Sequence, residues 1–137
     1  MRIDVITIFP AMLDGFLGAS MMKRAAKLGA VDFRTVNLRD FTSDRHHTTD
    51  DRPFGGGPGM VMKPEPLFLA VESVRTPAAR VILMSPSGAT FTQAKALELS
   101  RAEHLVFICG HYEGVDERVR EGLVHEELSI GDYVLTN

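Results

Sequence analysis

The sequence predicts an α/β fold: a parallel sheet with helices on both faces. Two observations carry that expectation. Short β-branched apolar runs alternate along the chain with segments rich in helix formers, the pattern of strands covered on both sides. The 137 residues are also enough for one packed domain, because a chain of this size buries about two-thirds of its unfolded surface. With 45% hydrophobic and 24% charged residues, the composition is ordinary globular usage and excludes disorder.

Taken in order, Ile3–Phe9 (IDVITIF) reads as a buried first strand stopped by Pro10. Ser20–Leu28 carries good helix formers and ends at Gly29, a suitable residue to close a helix. Val31–Asn37 alternates as a second strand, and Pro66–Val74 is helical. Arg80–Met84, Gln93–Ser100 and His104–Cys109 then give strand, helix and strand, and Val115–Gly122 a last helix with a glycine end. Between Leu38 and Lys63 lie 26 residues without clear periodicity, longer than a compact domain spends on a connection. Their aromatic, charged and glycine content is unlike a linker, so this stretch is expected to be functional.

Charge and cysteine content narrow the function. The net charge of −3 argues against a protein held on nucleic acid by bulk positive charge, so any RNA contact must be local. The single cysteine, Cys109, excludes a disulfide framework and reads as a small buried hydrophobe, not a nucleophile. His46 and His47 are adjacent and make a poor metal pair, so no metal site is expected. No apolar stretch approaches the roughly 20 residues of a membrane span, and the amino terminus is too short an apolar run for a signal peptide. A soluble, cytoplasmic protein is expected.

Four segments carry candidate chemistry. In the long loop, Asp44-Arg45-His46-His47 is followed by Asp50-Asp51-Arg52 and then Gly55-Gly56-Gly57-Pro58-Gly59. Backbone of that kind approaches a ligand closely, arginines hold phosphate, and carboxylates accept from a base edge. It is neither a P-loop nor a dinucleotide fingerprint, because no GK[ST] follows and the spacing does not open a helix after a strand. Met84–Gly88 and Cys109–Gly114 each follow a predicted strand, and Leu128–Leu135 closes the chain. Ligands of open α/β sheets bind beyond the carboxyl ends of strands, so these segments are expected to share a crevice. Backbone amides and carbonyls there suit an adenine, with Ile130 and Leu135 on either side of its ring. Glu113, between two glycines, is placed to meet a cationic ligand. His111 and Tyr112 are read as hydrogen-bonded structure, and Asp116, Glu117, Arg118 and Arg120 as a solvated helix face. These residues alone leave a generic nucleotide-binding α/β protein open.

The motifs DRHHTTDDRPFGGGPGM (Asp44–Met60), LMSPSG (Leu83–Gly88), CGHYEGVDERV (Cys109–Val119) and SIGDYVL (Ser129–Leu135) resemble the bacterial tRNA (guanine-N1)-methyltransferases of the SPOUT class. IFPAM (Ile8–Met12) and LRDF (Leu38–Phe41) fit the same pattern, and the likeness runs colinearly through all of 1–137. The resemblance implies a SPOUT-like domain with a trefoil knot near its carboxyl end, a homodimer, and S-adenosyl-L-methionine as methyl donor to N1 of the guanosine 3′ of a tRNA anticodon. It implies that Ser85, Pro86, Gly110, Tyr112, Glu113, Ile130, Gly131, Asp132, Tyr133, Val134 and Leu135 line the cofactor pocket. It places Arg45, Asp50, Arg52, Gly55, Gly56, Gly57 and Gly59 on the tRNA side. In the family a GGE-type turn, a last knot helix and a helical tRNA-binding domain with the general-base aspartate follow SIGDYVL. Here only Thr136 and Asn137 follow Leu135. The expectation is therefore an amino-terminal, truncated methyltransferase domain without its own catalytic base, the alternative being an inactive cofactor- or RNA-binding fragment of that enzyme. The charge agrees, with 8 basic and 7 acidic residues over 1–60 but 7 and 11 over 61–137.

Overall fold

The structure, a computed structural model, describes residues 1–133. Seven strands and five α-helices follow in the order β1 (Arg2–Thr7), α1 (Ala11–Leu17), α2 (Ser20–Lys27), β2 (Asp32–Asn37), β3 (Asp50–Asp51), β4 (Val61–Met62), α3 (Pro64–Val74), β5 (Ala79–Thr90), α4 (Gln93–Leu99), β6 (His104–Cys109), α5 (Glu117–Leu123) and β7 (Glu126–Ser129). Five strands form one sheet in the order β2-β1-β6-β5-β7, and every pairing in it is parallel. Parallel pairing places all five carboxyl ends along one edge of the sheet.

Side-chain alternation divides the sheet between two cores. On one face Ile6, Val81, Leu83, Val106 and Ile108 pack with Leu67, Ala70 and Val71 of α3 and Val119 and Leu123 of α5. The buried positions 67, 70 and 71 of α3 follow the three-and-four spacing of one helical face. On the other face Ile82, Leu105 and Leu128 pack with Leu99 of α4. Helices therefore cover both faces, as the alternation of segments predicts.

The structure adds to and corrects the sequence reading at several points. α1 goes unread in the sequence because it buries no residue and so has no apolar stripe aimed at the core. Pro10 occupies its N-cap position but does not end the first strand, which stops earlier than expected, at Thr7, with Ile8 and Phe9 outside it. β7 also goes unread, being four residues long with two glutamates. Gly122 does not end the last helix; it lies inside α5, where an added Cβ would stand 2.8 Å from the Phe68 ring. Ser85–Gly88 is not a turn. β5 pairs with β7 at Met84↔Leu128 and again at Ala89↔Leu128, so the four residues between are extruded as a bulge. Gly88 permits this, since a Cβ there would meet the Glu127 and Leu128 backbone at 2.6 Å. The long loop is partly structured: Leu38–Phe41 forms a 3-10 turn, and β3 and β4 pair antiparallel.

Two polar networks hold the sheet. At its amino-terminal end, Asp4 is fully buried, lies 2.6 Å from His104 Nε2, pairs with Arg2 Nε at 2.7 Å and accepts a hydrogen bond from Arg2 Nη2 at 3.1 Å. His104 Nδ1 meets the Thr76 hydroxyl at 2.8 Å, so β1, β6 and the α3–β5 connection share one network. On the opposite face, Arg80 and Lys95 alternate with Glu98 and Glu126 in a four-membered ring at 2.6–3.0 Å, joining β5, α4 and β7.

Removing one member of a buried charged pair strands the other. Asp4→Ala is expected to cost about 3 kcal/mol in urea unfolding; an unchanged midpoint would show that water already reaches His104. Lys95 first, and Arg80 beside it, hold the Glu98 carboxyl below its ordinary pKa. Such a group stabilises the fold above its unfolded pKa, and the effect fades as pH falls through the lower folded value. The thermal-stability difference between wild type and Glu98→Gln should thus be constant at neutral pH and shrink below about pH 4.3. A difference that survives strong acid would mean that packing, not charge, is what the substitution removes.

Candidate cofactor and RNA site

The carboxyl ends of β5, β6 and β7 lie side by side, with Met84 in register with Cys109 and with Leu128. Beyond them Ser85, Pro86, Ile130 and Tyr133 close around a crevice of about 170 Å³ together with Met84, Leu128 and Ser129. Over Ser85–Gly88 the bulge leaves backbone groups without ladder partners among the described residues. Ser129, which sequence reasoning left without a role, fixes the floor. Its hydroxyl donates to the Gly131 carbonyl at 2.6 Å and accepts the Gly131 N–H, while its carbonyl accepts the Phe91 N–H at 2.7 Å. A serine buried between a strand and a Gly-Asp pair is the signal that could have found it. Gly131 packs beneath the Tyr133 ring, and Asp132 is exposed at the rim. Val134 and Leu135 lie outside the described residues.

The crevice is small for a nucleoside, but it shares Met84, Leu128 and Ile130 with an apolar hollow of about 300 Å³ between α4 and the sheet. A third hollow, about 550 Å³, lies between α1, α2 and β2 and contains none of the predicted residues.

Gly110, Tyr112 and Glu113 do not line the 170 Å³ crevice. They form the next turn along the edge, after β6, where the Gly110 Cα faces the Met84 carbonyl and the Val115 side chain. Tyr112 takes a φ of +59°, a strained setting for a ring-bearing residue and one found preferentially at working sites. The far side of this turn is stitched to the long loop by backbone bonds. Glu113 N–H donates to Met60 O at 3.0 Å, Met62 N–H to Gly114 O at 2.9 Å, and Asp116 N–H to Met62 O at 3.0 Å. Met62 is fully buried, and its sulfur accepts the His111 N–H at 3.1 Å. Gly59, at φ +79°, lies directly against Glu113; a Cβ there would stand 2.4 Å from the Glu113 side chain. The residues read as the two sides of the site thus meet at Gly59–Glu113. Met62 reads in the sequence as a packing residue, which its burial bears out; its bonds to this turn left no sequence signal.

The remaining loop residues stand apart from that seam. Asp50 is half-buried in β3, whereas Arg45, Arg52 and Gly55–Gly57 are exposed. Asp44 organises the loop's first turn: the Thr48 hydroxyl, then the Thr48 and His46 N–H groups, bond its carboxylate and hold its pKa down. His47 Nδ1 lies 3.0 Å from the Arg39 carbonyl, a structural contact, and no metal-ligating cluster occurs among the described residues. Asp116 caps α5 and pairs with Arg118, and Arg120 pairs with Glu117, the solvated face expected. Burial pushes the Cys109 thiol upward, which agrees with an inert side chain.

A comparison with known families decides the assignment. All of residues 1–137 match the family described as tRNA (Guanine-1)-methyltransferase TrmD. The chain belongs to this family. It is 54% identical over 138 residues to the tRNA (guanine-N(1)-)-methyltransferase of Geobacillus kaustophilus, and 60% over 140 residues to that of Moorella thermoacetica. The Bacillus subtilis protein of the same name is 54% identical over 139 residues. Each alignment covers 99% of this chain but only 56–57% of the relative, so the chain spans little more than half the length of these curated relatives. No helix among its described residues is long and apolar enough to cross a membrane.

The Gly59–Glu113 contact can be tested by substitution. Gly56 shares a positive φ but faces open space. Gly56→Ala should cost about 1 kcal/mol, the strain of an L side chain at positive φ. Gly59→Ala should cost at least that and also speed hydrogen exchange at Met62 and Glu113, whereas Gly56→Ala leaves those amides unchanged. Equal behaviour of the two variants would remove Gly59 from the seam.

Proposed function

We propose that the chain carries the donor-binding part of a tRNA (guanine-N1)-methyltransferase acting on the guanosine 3′ of the anticodon. The observation that supports it is the crevice formed by Ser85, Pro86, Ile130 and Tyr133 beside a turn to which the glycine loop is stitched. The donor set fits an adenosine: apolar Pro86 and Ile130 for the flat ring, and the unladdered backbone of the bulge for its polar edge. Bound there, S-adenosyl-L-methionine supplies an electrophilic methyl carried on a sulfonium cation. Gly110 and Tyr112 would extend the pocket along the edge, with Glu113 facing the cationic end and Asp132 at the rim. Arg45 and Arg52 would meet phosphates, and Asp50 and Gly55–Gly59 the nucleoside side.

The guanine N1 carries a proton at neutral pH, so transfer requires a group that takes this proton as the methyl arrives, with reacting atoms held about 3–3.5 Å apart. Among the described residues, the side chains lining the crevice include no carboxylate or imidazole. That observation favours a second reading, in which this polypeptide binds donor or RNA without turning over, the base lying elsewhere. The full reading also takes from the family the trefoil knot, the homodimer and a cytoplasmic location.

Calorimetric titration with S-adenosylhomocysteine should give saturable heat. Gly131→Val, which forces the Tyr133 ring out of the crevice, should weaken that binding at least tenfold, about 1.4 kcal/mol. No heat from the wild-type chain would overturn the pocket. A methyl-transfer assay on unmodified tRNA separates the two readings: binding without turnover supports the second, and turnover by this chain shows that it holds its own base.

A further inference from the structure

With a net charge of −3, RNA contact depends on local positive charge, and the glycine loop is not where that charge is least opposed. Its Arg45 and Arg52 share the loop with Asp44, Asp50 and Asp51. Elsewhere Arg2, Arg34, Arg80, Lys95, Arg118 and Arg120 are each paired with a carboxylate. α2 differs. It carries Lys23, Arg24 and Lys27, contains no acidic residue, and forms no ion pair among the described residues. All three cations are exposed, while Met22 and Ala25 are half-buried. At 3.6 residues per turn the cations fill an arc of about 100° centred opposite Met22 and Ala25, so they point away from the body of the protein. The helix dipole favours cations in the last turn, which accounts for Arg24 and Lys27 locally. It does not account for Lys23, which completes a face without counter-charge.

We propose that the outer face of α2 binds the phosphate backbone of the base-paired stem that closes the target loop of the substrate RNA. The inference rests on the function proposed above. Charge identifies the class of partner. A second copy of this chain, docked by a two-fold axis through this face, would set like charges together, whereas RNA phosphates compensate all three cations and release counterions. Position identifies the part of the RNA. α2 lies across a hollow from the edge strand β2, and β2 stands three strands from β5, about 14 Å at ordinary strand spacing. A nucleoside reacting at the end of β5 therefore cannot bring its own phosphates to α2. The contact falls further along the RNA, where pairing sets the phosphates of two strands in a regular, dense array. β2 follows α2 and precedes the loop bearing Arg45 and Arg52, so helix and loop flank one strand and engage successive parts of one RNA.

The test measures binding of this chain to an unmodified anticodon stem-loop by fluorescence anisotropy, between about 50 and 200 mM salt. The triple variant Lys23→Gln/Arg24→Gln/Lys27→Gln should weaken binding about tenfold and reduce the slope of log K against log salt by about 2–3. Lys23→Arg/Lys27→Arg, which keeps the charge, should retain both. Arg75→Gln/Arg101→Gln removes exposed cations from the segments that precede β5 and β6 and should leave the slope unchanged. Loss of the dipole contribution lowers the unfolding midpoint of the triple variant slightly, but it does not touch the salt slope. A single-stranded oligonucleotide of the loop alone should bind wild type and triple variant alike, and the heat of S-adenosylhomocysteine binding should be the same in all variants. An unchanged slope in the triple variant overturns the proposal, as does a wild-type chain that binds the analogue but not the stem-loop; both leave the donor pocket standing. Equal weakening on the stem-loop and on the loop oligonucleotide shows that the stem is the wrong assignment. If the triple variant changes sedimentation and not RNA binding, the face belongs to a second copy of this chain and the proposal fails.

Discussion

Parallel pairing of β5 with β6 sets the geometry on which every functional residue depends. The register Ala79↔His104 through Met84↔Cys109 ends the pairing of the two strands at one level, so Ser85 and Gly110 start side by side. β7 joins on the other edge of β5 and ends beside them. Nothing local to Ser85, Gly110 or Ile130 would bring these residues together. What does so is the burial of Val81, Leu83, Val106 and Ile108 under α3 and α5, with Ile82, Leu105 and Leu128 on the opposite face. Shifting β5 by one residue would exchange its two apolar sets between the faces, so the register is strongly specified.

A second constraint acts at right angles to the first. The long loop leaves the sheet edge at β2, and its return is set by Met62, whose backbone bonds both Gly114 and Asp116. The buried Met62 side chain anchors that return, and its sulfur also fixes the His111 amide. One residue thus holds the glycine loop, the turn after β6 and the entry to α5 in a single relation. The turn cannot shift without moving the loop, because Gly59 and the Glu113 side chain leave no space between them.

Much of this was legible in the sequence, and the parts that were not share a physical cause. β1, β6 and the first half of β5 were readable because their β-branched runs are largely buried, β2 from its alternation, and α3 because its apolar face repeats after Pro66, although the helix itself begins at Pro64. α1 was not, since a helix that buries nothing leaves no periodic signal. β7 was not, because a short edge strand with Glu126 turned to Arg80 and Lys95 reads as a polar connection. The site followed the same rule. Its motifs were legible as residues; Ser85, Pro86, Ile130 and Tyr133 line one crevice at the strand ends, whereas Gly110, Tyr112 and Glu113, expected in the same crevice, form the next turn along the edge. The bulge at Ser85–Gly88 and the seam between Gly59 and Glu113 were hidden, because both arise from backbone contacts between segments far apart in sequence.

These two constraints divide the candidate site by stiffness. The crevice wall is fixed by the sheet, by the ring of Arg80, Lys95, Glu98 and Glu126, and by the two hydrogen bonds between the Ser129 hydroxyl and Gly131. The span from Arg52 to Gly57 is held only at its ends, with three successive glycines at positive φ and Phe54 fully exposed. Local opening costs least where few buried contacts must break, so this span is the part of the site able to rearrange around a bound strand. A small rigid donor requires alignment to a fraction of an ångström, whereas an RNA loop arrives with its own shape. Gly59 marks the boundary between these regimes. On its carboxyl side the chain is pinned to Glu113 and Gly114, and on its amino side it is open to solvent. Gly59 therefore ties the position of the glycine loop to the turn that carries Tyr112 and Glu113, without involving the sheet.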